Sequence, residues 1–208
     1  MLSRVIEDRE LVERARRGDV ESYNVLVSRW EKKLYNYLYR LTRNREDALD
    51  LSQEAFFKAY RSLTTLEDAG KFAGWLYRIA HNLTFSKFRG DTRRGEDPDV
   101  EVTTLNEPRT GESVTLNGRR VFPQELELIV DRALGDLSAE QREAVLLKVH
   151  HGFQLDEIAV ILSCPISTVK SRLYSGLEAM KHSLLQENRK ANANELRTSK
   201  VLPIRPGS

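Results

Sequence analysis

Tyr23, Leu26, Val27, Trp30, Leu34, Tyr37, Leu38 and Leu41 recur at steps of three and four in this 208-residue chain. That spacing puts them on one face of a helix and leaves the opposite face polar. The same period returns twice. Ala48, Leu51, Ala55, Ala59 and Leu63 form a second stripe, and Phe72, Trp75, Leu76, Ile79, Ala80 and Leu83 a third. Asn44 caps the middle helix, with Glu46 and Asp47 in a first turn where the helix dipole favours acid. Thr64 to Lys71, with Gly70, interrupts the pattern. Strand-like alternation is nearly absent, so residues from about Ile6 to Phe88 read as a helical domain.

The composition changes at Gly90. Residues 90–123 hold four glycines and three prolines among many charges, which predicts a flexible linker in which only Val114 to Val121 allows local structure. A second block follows, from Gln124 to Gln186. Leu126, Ile129, Ala133 and Leu134 begin it, and Ser138 with Gln141 spells a capping box. Val145, Leu146 and Val149 form its next stripe, and Gly152 ends that helix. The domain expectation is therefore 1–89, a linker at 90–123, 124–186, and a disordered polar tail at 187–208. The fold class is all-α: two small helical domains on a tether.

Within the second block, Leu155 to Leu162 is amphipathic, Ser163-Cys164-Pro165 breaks it, and a new helix starts at Ile166. Ile158 and Leu162 point inward and Ala159 is small where two helices would cross. Ile166, Val169, Leu173, Leu177, Met180 and Leu184 share one face. The other carries Ser167, Thr168, Lys170, Ser171, Arg172 and Tyr174, groups able to hold phosphates or read base edges. These letters fit a helix-turn-helix, whose second helix lies in a DNA major groove. They fit an ordinary helical hairpin with a solvated face equally well. Gly176 weakens the second helix, by about 1 kcal/mol against alanine.

Catalytic signals are missing. His150 and His151 are adjacent and diverge on a helix, with no cysteine or carboxylate cluster to complete a metal site. There is no phosphate-binding glycine loop and no nucleophile elbow. Neither an enzyme nor a cofactor is expected. The net charge of +2 is too small to mark a nucleic-acid binder by itself. The single cysteine, Cys164, fits the hairpin turn structurally and a reducing cytoplasm. No segment reaches the roughly 18 apolar residues of a membrane span.

Three separated stretches nonetheless form a pattern: Asp47-Ala48-Leu49-Asp50-Leu51-Ser52-Gln53-Glu54-Ala55-Phe56-Phe57-Lys58-Ala59-Tyr60, then Phe72-Ala73-Gly74-Trp75-Leu76-Tyr77-Arg78-Ile79-Ala80-His81-Asn82, then the hairpin. In this order they resemble a bacterial RNA polymerase sigma factor of the extracytoplasmic-function group, over residues 7–186. The resemblance implies that Asp47, Asp50, Gln53, Glu54 and Phe57 dock on core polymerase; Phe56 and Phe57 cannot both face the core. It implies that Tyr77, Arg78, His81, Asn82, Phe85, Lys87 and Arg89 meet the −10 promoter element as it opens, by stacking, edge hydrogen bonds and phosphate contacts. It assigns Ser167, Thr168, Lys170, Ser171, Arg172 and Tyr174 to the −35 element.

On this reading core polymerase and promoter DNA are partners, with an anti-sigma factor as inhibitor, in the cytoplasm and without membrane insertion. Linker acids Asp91, Glu96, Asp97, Asp99 and Glu101 would mimic the charge of nascent RNA. Two rivals differ in what they bind. A polymerase-independent helix-turn-helix regulator with a helical sensor domain binds DNA tightly alone, and a helical adaptor binds only protein.

Overall fold

The computed structural model describes residues 6–94, 114–116, 119–121 and 123–199. Helices α1 (Asp8–Arg16), α2 (Val20–Thr42), α3 (Arg45–Ser62) and α4 (Phe72–Arg94) build the first domain. Short 3-10 turns at Leu63–Thr65 and Ala69–Lys71 join α3 to α4. The three sequence stripes are its core. Leu26, Leu34, Tyr37 and Leu38 of α2 meet Ala48, Ala55 and Ala59 of α3 and Phe72, Leu76 and Ala80 of α4, all sealed from solvent. The alanines of α3 let α2 and α4 approach closely. The starts of α2 and α3 are specified locally: the Asp19 side chain accepts from Ser22 N at 3.2 Å, and Asn44 Oδ1 from Asp47 N at 3.0 Å. Arg43, with φ of 58°, ends α2 in the left-handed region. The Asp8 carboxylate fastens α1 to α2 by accepting from Trp30 Nε1 at 2.8 Å and from Arg29.

The compositional break at Gly90 is not the end of the helix. α4 runs through Gly90 to Arg94, because one glycine costs only about 1 kcal/mol and the Lys87–Asp91 pair, at 3.4 Å, bridges the turn that contains it. Val114–Leu116 (β1) and Arg119–Val121 (β2) pair antiparallel, Val114 opposite Val121. Asn117-Gly118 stands between them in the sequence, the dipeptide most favoured in two-residue hairpins. Glu96, Asp97, Asp99 and Glu101 lie outside the described residues.

The second domain contains α5 (Pro123–Gly135), α6 (Ala139–Val145), α7 (Leu155–Ile161) and α8 (Ile166–Ser199). The capping box at Ser138 forms on both sides, Gln141 N donating to Ser138 Oγ and Ser138 N to Gln141 Oε1. Two expectations fail here for geometric reasons. α6 passes into a π turn over Leu146–His150, where His151 N reaches back to Leu146 O at 3.1 Å. The extra residue shifts the phase, so Val149 is 66% exposed instead of continuing the stripe, while His151 turns inward. It also brings the His150 and His151 rings into a stack, centroids 5.0 Å apart, where a regular helix would splay them. Ile166 and Leu177 are exposed too, because the three short helices α5 to α7 cover only part of α8. Of the expected tail, residues 200–208 lie outside the described residues. α8 continues to Ser199 through a run free of Gly and Pro, residues read as disordered from their polarity.

Gly176 has a packing role that its propensity conceals. A Cβ there would come within 3.0 Å of Val145 Cγ2 and 3.4 Å of Gln141 Cβ, so the missing side chain sets how closely α8 lies on α6. Gly176→Leu is expected to destabilise the chain by about 1–3 kcal/mol through overpacking, despite leucine's better helix propensity. A higher denaturation midpoint in urea would refute this.

Candidate functional site

The outward face of α3 is acidic with one large aromatic. Asp50, Gln53 and Glu54 are exposed, and Phe57 is 59% exposed while its neighbour Phe56 is 8% exposed. The hundred-degree step between consecutive helical residues forces this split. Arg61 lies over the Phe57 ring at 5.5 Å. Asp47 is half-buried and bridges to α4, its carboxylate 3.1 Å from Lys87 Nζ. Asp91 approaches the same ammonium at 3.4 Å. Burial pulls the Lys87 pKa down, but the two carboxylates outweigh it and the net shift is upward. Lys87 is therefore engaged on both sides.

On α4, Arg78, Asn82 and Arg89 are exposed and Phe85 is half-buried. Phe85 sits between His81, at 4.7 Å, and Phe88, at 5.4 Å. His81 is half-buried and Tyr77 is fully buried. Tyr77, expected at the −10 element, is shut off from solvent in this conformation. Its ring packs against Tyr37 at 4.9 Å and Phe153 at 5.2 Å, so no face of it is open to stack a base.

In the second domain, the α7–α8 turn forms around Ser163, whose φ of 50° lies in the left-handed region. Cys164 N donates to Ala159 O, and Pro165 O accepts from Thr168 N and Val169 N, starting α8. Ile158, Leu162, Val169 and Leu173 are buried between the helices. This hydrogen-bonded corner gives the order of helix, tight turn and helix that a helix-turn-helix requires. On its outer face Ser167, Lys170 and Ser171 are exposed, Tyr174 is 64% exposed, and Thr168 and Arg172 are half-buried. Arg172 Nη1 rests 4.0 Å from Cys164 Sγ, which holds the guanidinium near the turn.

The junction between the domains was not foreseen. Glu143 on α6 is fully buried, and its Oε1 accepts from Tyr37 O–H at 2.5 Å and pairs with His81 Nδ1 at 2.8 Å. Arg142 donates to Leu134 O, Gly135 O and Leu137 O in its own domain and to Leu41 O, at the end of α2, at 2.9 Å. That guanidinium closes the carbonyl ends of two helices at once. Burial, with Arg43 nearby, lowers its pKa to about 10. Arg40 reaches Glu127 at 3.1 Å and Asp131 at 3.8 Å. His151 Nδ1 and the Tyr77 hydroxyl share a hydrogen bond at 3.0 Å. Burial pulls the His151 pKa down to about 3, with His150, Arg40 and Lys33 adding to the effect, so the ring is neutral. Burial and then the Glu143 carboxylate push the Tyr37 phenol well up, so it remains a donor. A signal existed in the letters: Arg142-Glu143 lies inside a helix whose other faces are already accounted for.

Among the described residues no three His, Cys, Asp or Glu side chains are grouped to hold a metal, and no helix is long and apolar enough to cross a membrane.

Residues 26–94 match sigma-70 region 2 and residues 127–180 match sigma-70 region 4. The RNA polymerase sigma-H factor of Pseudomonas aeruginosa is 31% identical over 86% of this chain and 94% of its own length. The ECF RNA polymerase sigma-E factor of Escherichia coli K12 is 33% identical over 86% of this chain and 95% of its own. Among solved structures, the Bartonella quintana sigma factor RpoE in complex with the anti-sigma factor NepR shares the fold at a TM-score of 0.61. It is 24% identical and covers 79% of this chain and 97% of that one. CnrH in complex with the cytosolic domain of CnrY also gives 0.61, at 22% identity over 85% and 96% of the two chains.

The neutral His151 makes stability depend on acid. Its folded pKa lies below the ordinary value of 6.5, so the native chain binds fewer protons than the unfolded one. The stabilisation is complete above about pH 6.5 and is lost as pH falls from there towards 3. At about 1.4 kcal/mol per unit, roughly 2 kcal/mol is gone at pH 5. Denaturation midpoints measured at pH 7 and pH 5 should differ accordingly, and His151→Gln should shrink the difference.

Proposed function

The chain belongs to the sigma-70 family of RNA polymerase initiation factors, in its extracytoplasmic-function group, and from that premise we propose how its surfaces divide the work. As a sigma factor it binds core RNA polymerase and directs initiation at specific promoters. The face of α3 carrying Asp47, Asp50, Gln53, Glu54 and Phe57 docks on the polymerase. The observation that carries this assignment is Phe57, a large aromatic 59% exposed among carboxylates, where burial against a partner would recover its apolar surface.

The exposed side of α4 holds the opened −10 element. Arg78 and Arg89 meet phosphates, Asn82 meets a base edge, and Phe85 offers an aromatic surface once His81 moves. Lys87 contributes to phosphate binding only after leaving Asp47 or Asp91. The helix-turn-helix reads the −35 element with Ser167, Thr168, Lys170, Ser171, Arg172 and Tyr174. Affinity for the promoter comes from the holoenzyme, which accounts for a net charge of only +2. The chain acts in the cytoplasm, where polymerase is, and its exposed docking faces suit an anti-sigma factor as inhibitor. A polymerase-independent regulator is disfavoured, since both sigma regions match in their family order.

Binding to purified core polymerase and promoter opening test these assignments separately. Phe57→Ala is expected to weaken core binding by about 2 kcal/mol. Arg172→Ala should weaken −35 recognition by about 1–3 kcal/mol and relax its sequence preference. Asn82→Ala should spare duplex −35 binding and impair opening. A Phe57→Ala chain with unchanged core affinity would remove α3's outer face from the docking surface.

A further inference from the structure

We propose that Lys87 is a phosphate contact held in reserve. Asp47 and Asp91 keep its ammonium in the groove between α3 and α4, and a guanidinium of the docking partner that takes Asp47 releases it to DNA. The inference rests on the division of surfaces proposed above and links two of them through one side chain.

α3 and α4 leave between them an open groove of about 430 Å³. Asp47, Asp50 and Glu54 line it from α3, and Leu83, Lys87 and Gly90 from α4. Successive helical residues step by about 100°. Arg78, Asn82, Ser86 and Arg89, at intervals of three and four, therefore share one strip of α4, while Lys87 and Asp91 share another that faces the groove. Lys87 Nζ reaches across to Asp47 at 3.1 Å and along its own helix to Asp91 at 3.4 Å. The continuation of α4 through Gly90 is what places Asp91 here, on a helix and not in a linker.

Two carboxylates around one ammonium leave a net negative charge. That trio repels a DNA phosphate which Lys87 alone would attract. The two holds differ in kind. Asp47 belongs to another helix and draws Lys87 away from the DNA strip. Burial lowers the Lys87 pKa, Asp47 does most to raise it and Asp91 does less. Asp91 lies one turn along the same helix, and such a pair between partly exposed side chains is weak and exchanges readily. With Asp47 taken, Lys87 and Asp91 form a neutral pair from which a phosphate can draw the ammonium. Gly90 lies between Lys87 and the strip on the helix surface and offers the lysine stem no side chain to pass.

The chemistry of the groove also names what takes Asp47. Lys58 already pairs with Glu54 at 2.9 Å, so an incoming cation meets Asp47 and Asp50. Those carboxylates stand three residues apart on one helix face, where the planar fork of an arginine can serve both.

Salt dependence counts the contact, since each phosphate neutralised on single-stranded DNA adds about 0.7 to the slope of log K against log salt. The slope is measured by anisotropy of a labelled single-stranded DNA, for the full chain alone and in complex with core RNA polymerase, with and without Lys87→Gln. Alone, Lys87→Gln should leave the slope unchanged; in the complex it should lower it by about 0.7. Asp47→Asn should raise the slope of the free chain by the same amount, and adding Lys87→Gln should cancel the rise. Asp91→Asn changes the net charge equally but leaves Asp47 in place, so the slope should stay where it was. Reductive methylation of Lys87, read by mass spectrometry, follows the release without DNA and should be faster in Asp47→Asn than in the parent chain or in Asp91→Asn. Equal lowering by Lys87→Gln alone and in the complex would overturn the reserve, as would no lowering in either. A rise with Asp91→Asn as large as with Asp47→Asn would reduce the effect to net charge and overturn Asp47 as the control point. If Arg78→Gln also leaves the slope of the complex unchanged, the α4 strip is not the DNA surface, and the assignment on which the inference rests falls first. A parent chain that fails to bind core polymerase would sink the docking assignment instead.

Discussion

Tyr77 belongs to two cores at once, and the arrangement of the molecule follows from that. Its ring packs on Tyr37 and Trp30, which makes it part of the first domain's interior, and on His151 and Phe153, which makes it the floor of the junction. A helix that carries such a residue has no free apolar face left over. α4 must give one side to α2 and α3, receive the second domain on another, and keep the strip of Arg78, Asn82, Ser86 and Arg89 for solvent. The polar residues around Tyr77 complete it. Its hydroxyl goes to His151, and the neighbouring Tyr37 hydroxyl goes to Glu143.

That arrangement puts two kinds of interface on one helix with different energetics. The contacts within the first domain are dry and apolar, with Leu26, Leu34, Leu38, Phe72 and Leu76 sealed from solvent. They resist separation because every side chain lost from them would expose its full apolar area. The junction adds buried polar groups, Glu143 with Tyr37 and His81, to the apolar packing of Tyr77 on Phe153, and their lost hydration offsets part of what those polar contacts gain. On the proposed division of surfaces, with polymerase on α3, unpaired bases on α4 and duplex DNA on α8, the chain needs domains that are firm inside.

Much of this was legible in the letters. Asn44 and Ser138 cap the helices they were expected to cap, since capping depends on groups three residues apart. Ala48, Leu51, Ala55, Ala59 and Leu63 all face inward, because a 3.6-residue period needs no knowledge of the partner helix. Phe56 and Phe57 divided as the helix requires. The failures share a cause. Val149 turned outward because a π turn inserted one residue into the period, and no local pattern announces that turn. Gly176 read as a weak point and is a close contact, since its neighbours Val145 and Gln141 lie about thirty residues away. What the letters could not show for Tyr77 and His81, base-binding candidates by their chemistry, is that His151 and Glu143, far along the chain, set their orientation.

By itself the sequence determined the helical class, the helix starts, the inward stripes and the order of motifs that marks a sigma factor, all of which rest on residues close together in the chain. The tertiary structure alone decided which polar side chains are available. Glu143 is one turn of ordinary helix surface until Tyr37, 106 positions away, and His81, 62 away, converge on it. Burial of a charge is a property of what surrounds it, and in this chain the surroundings are assembled from both ends of the fold.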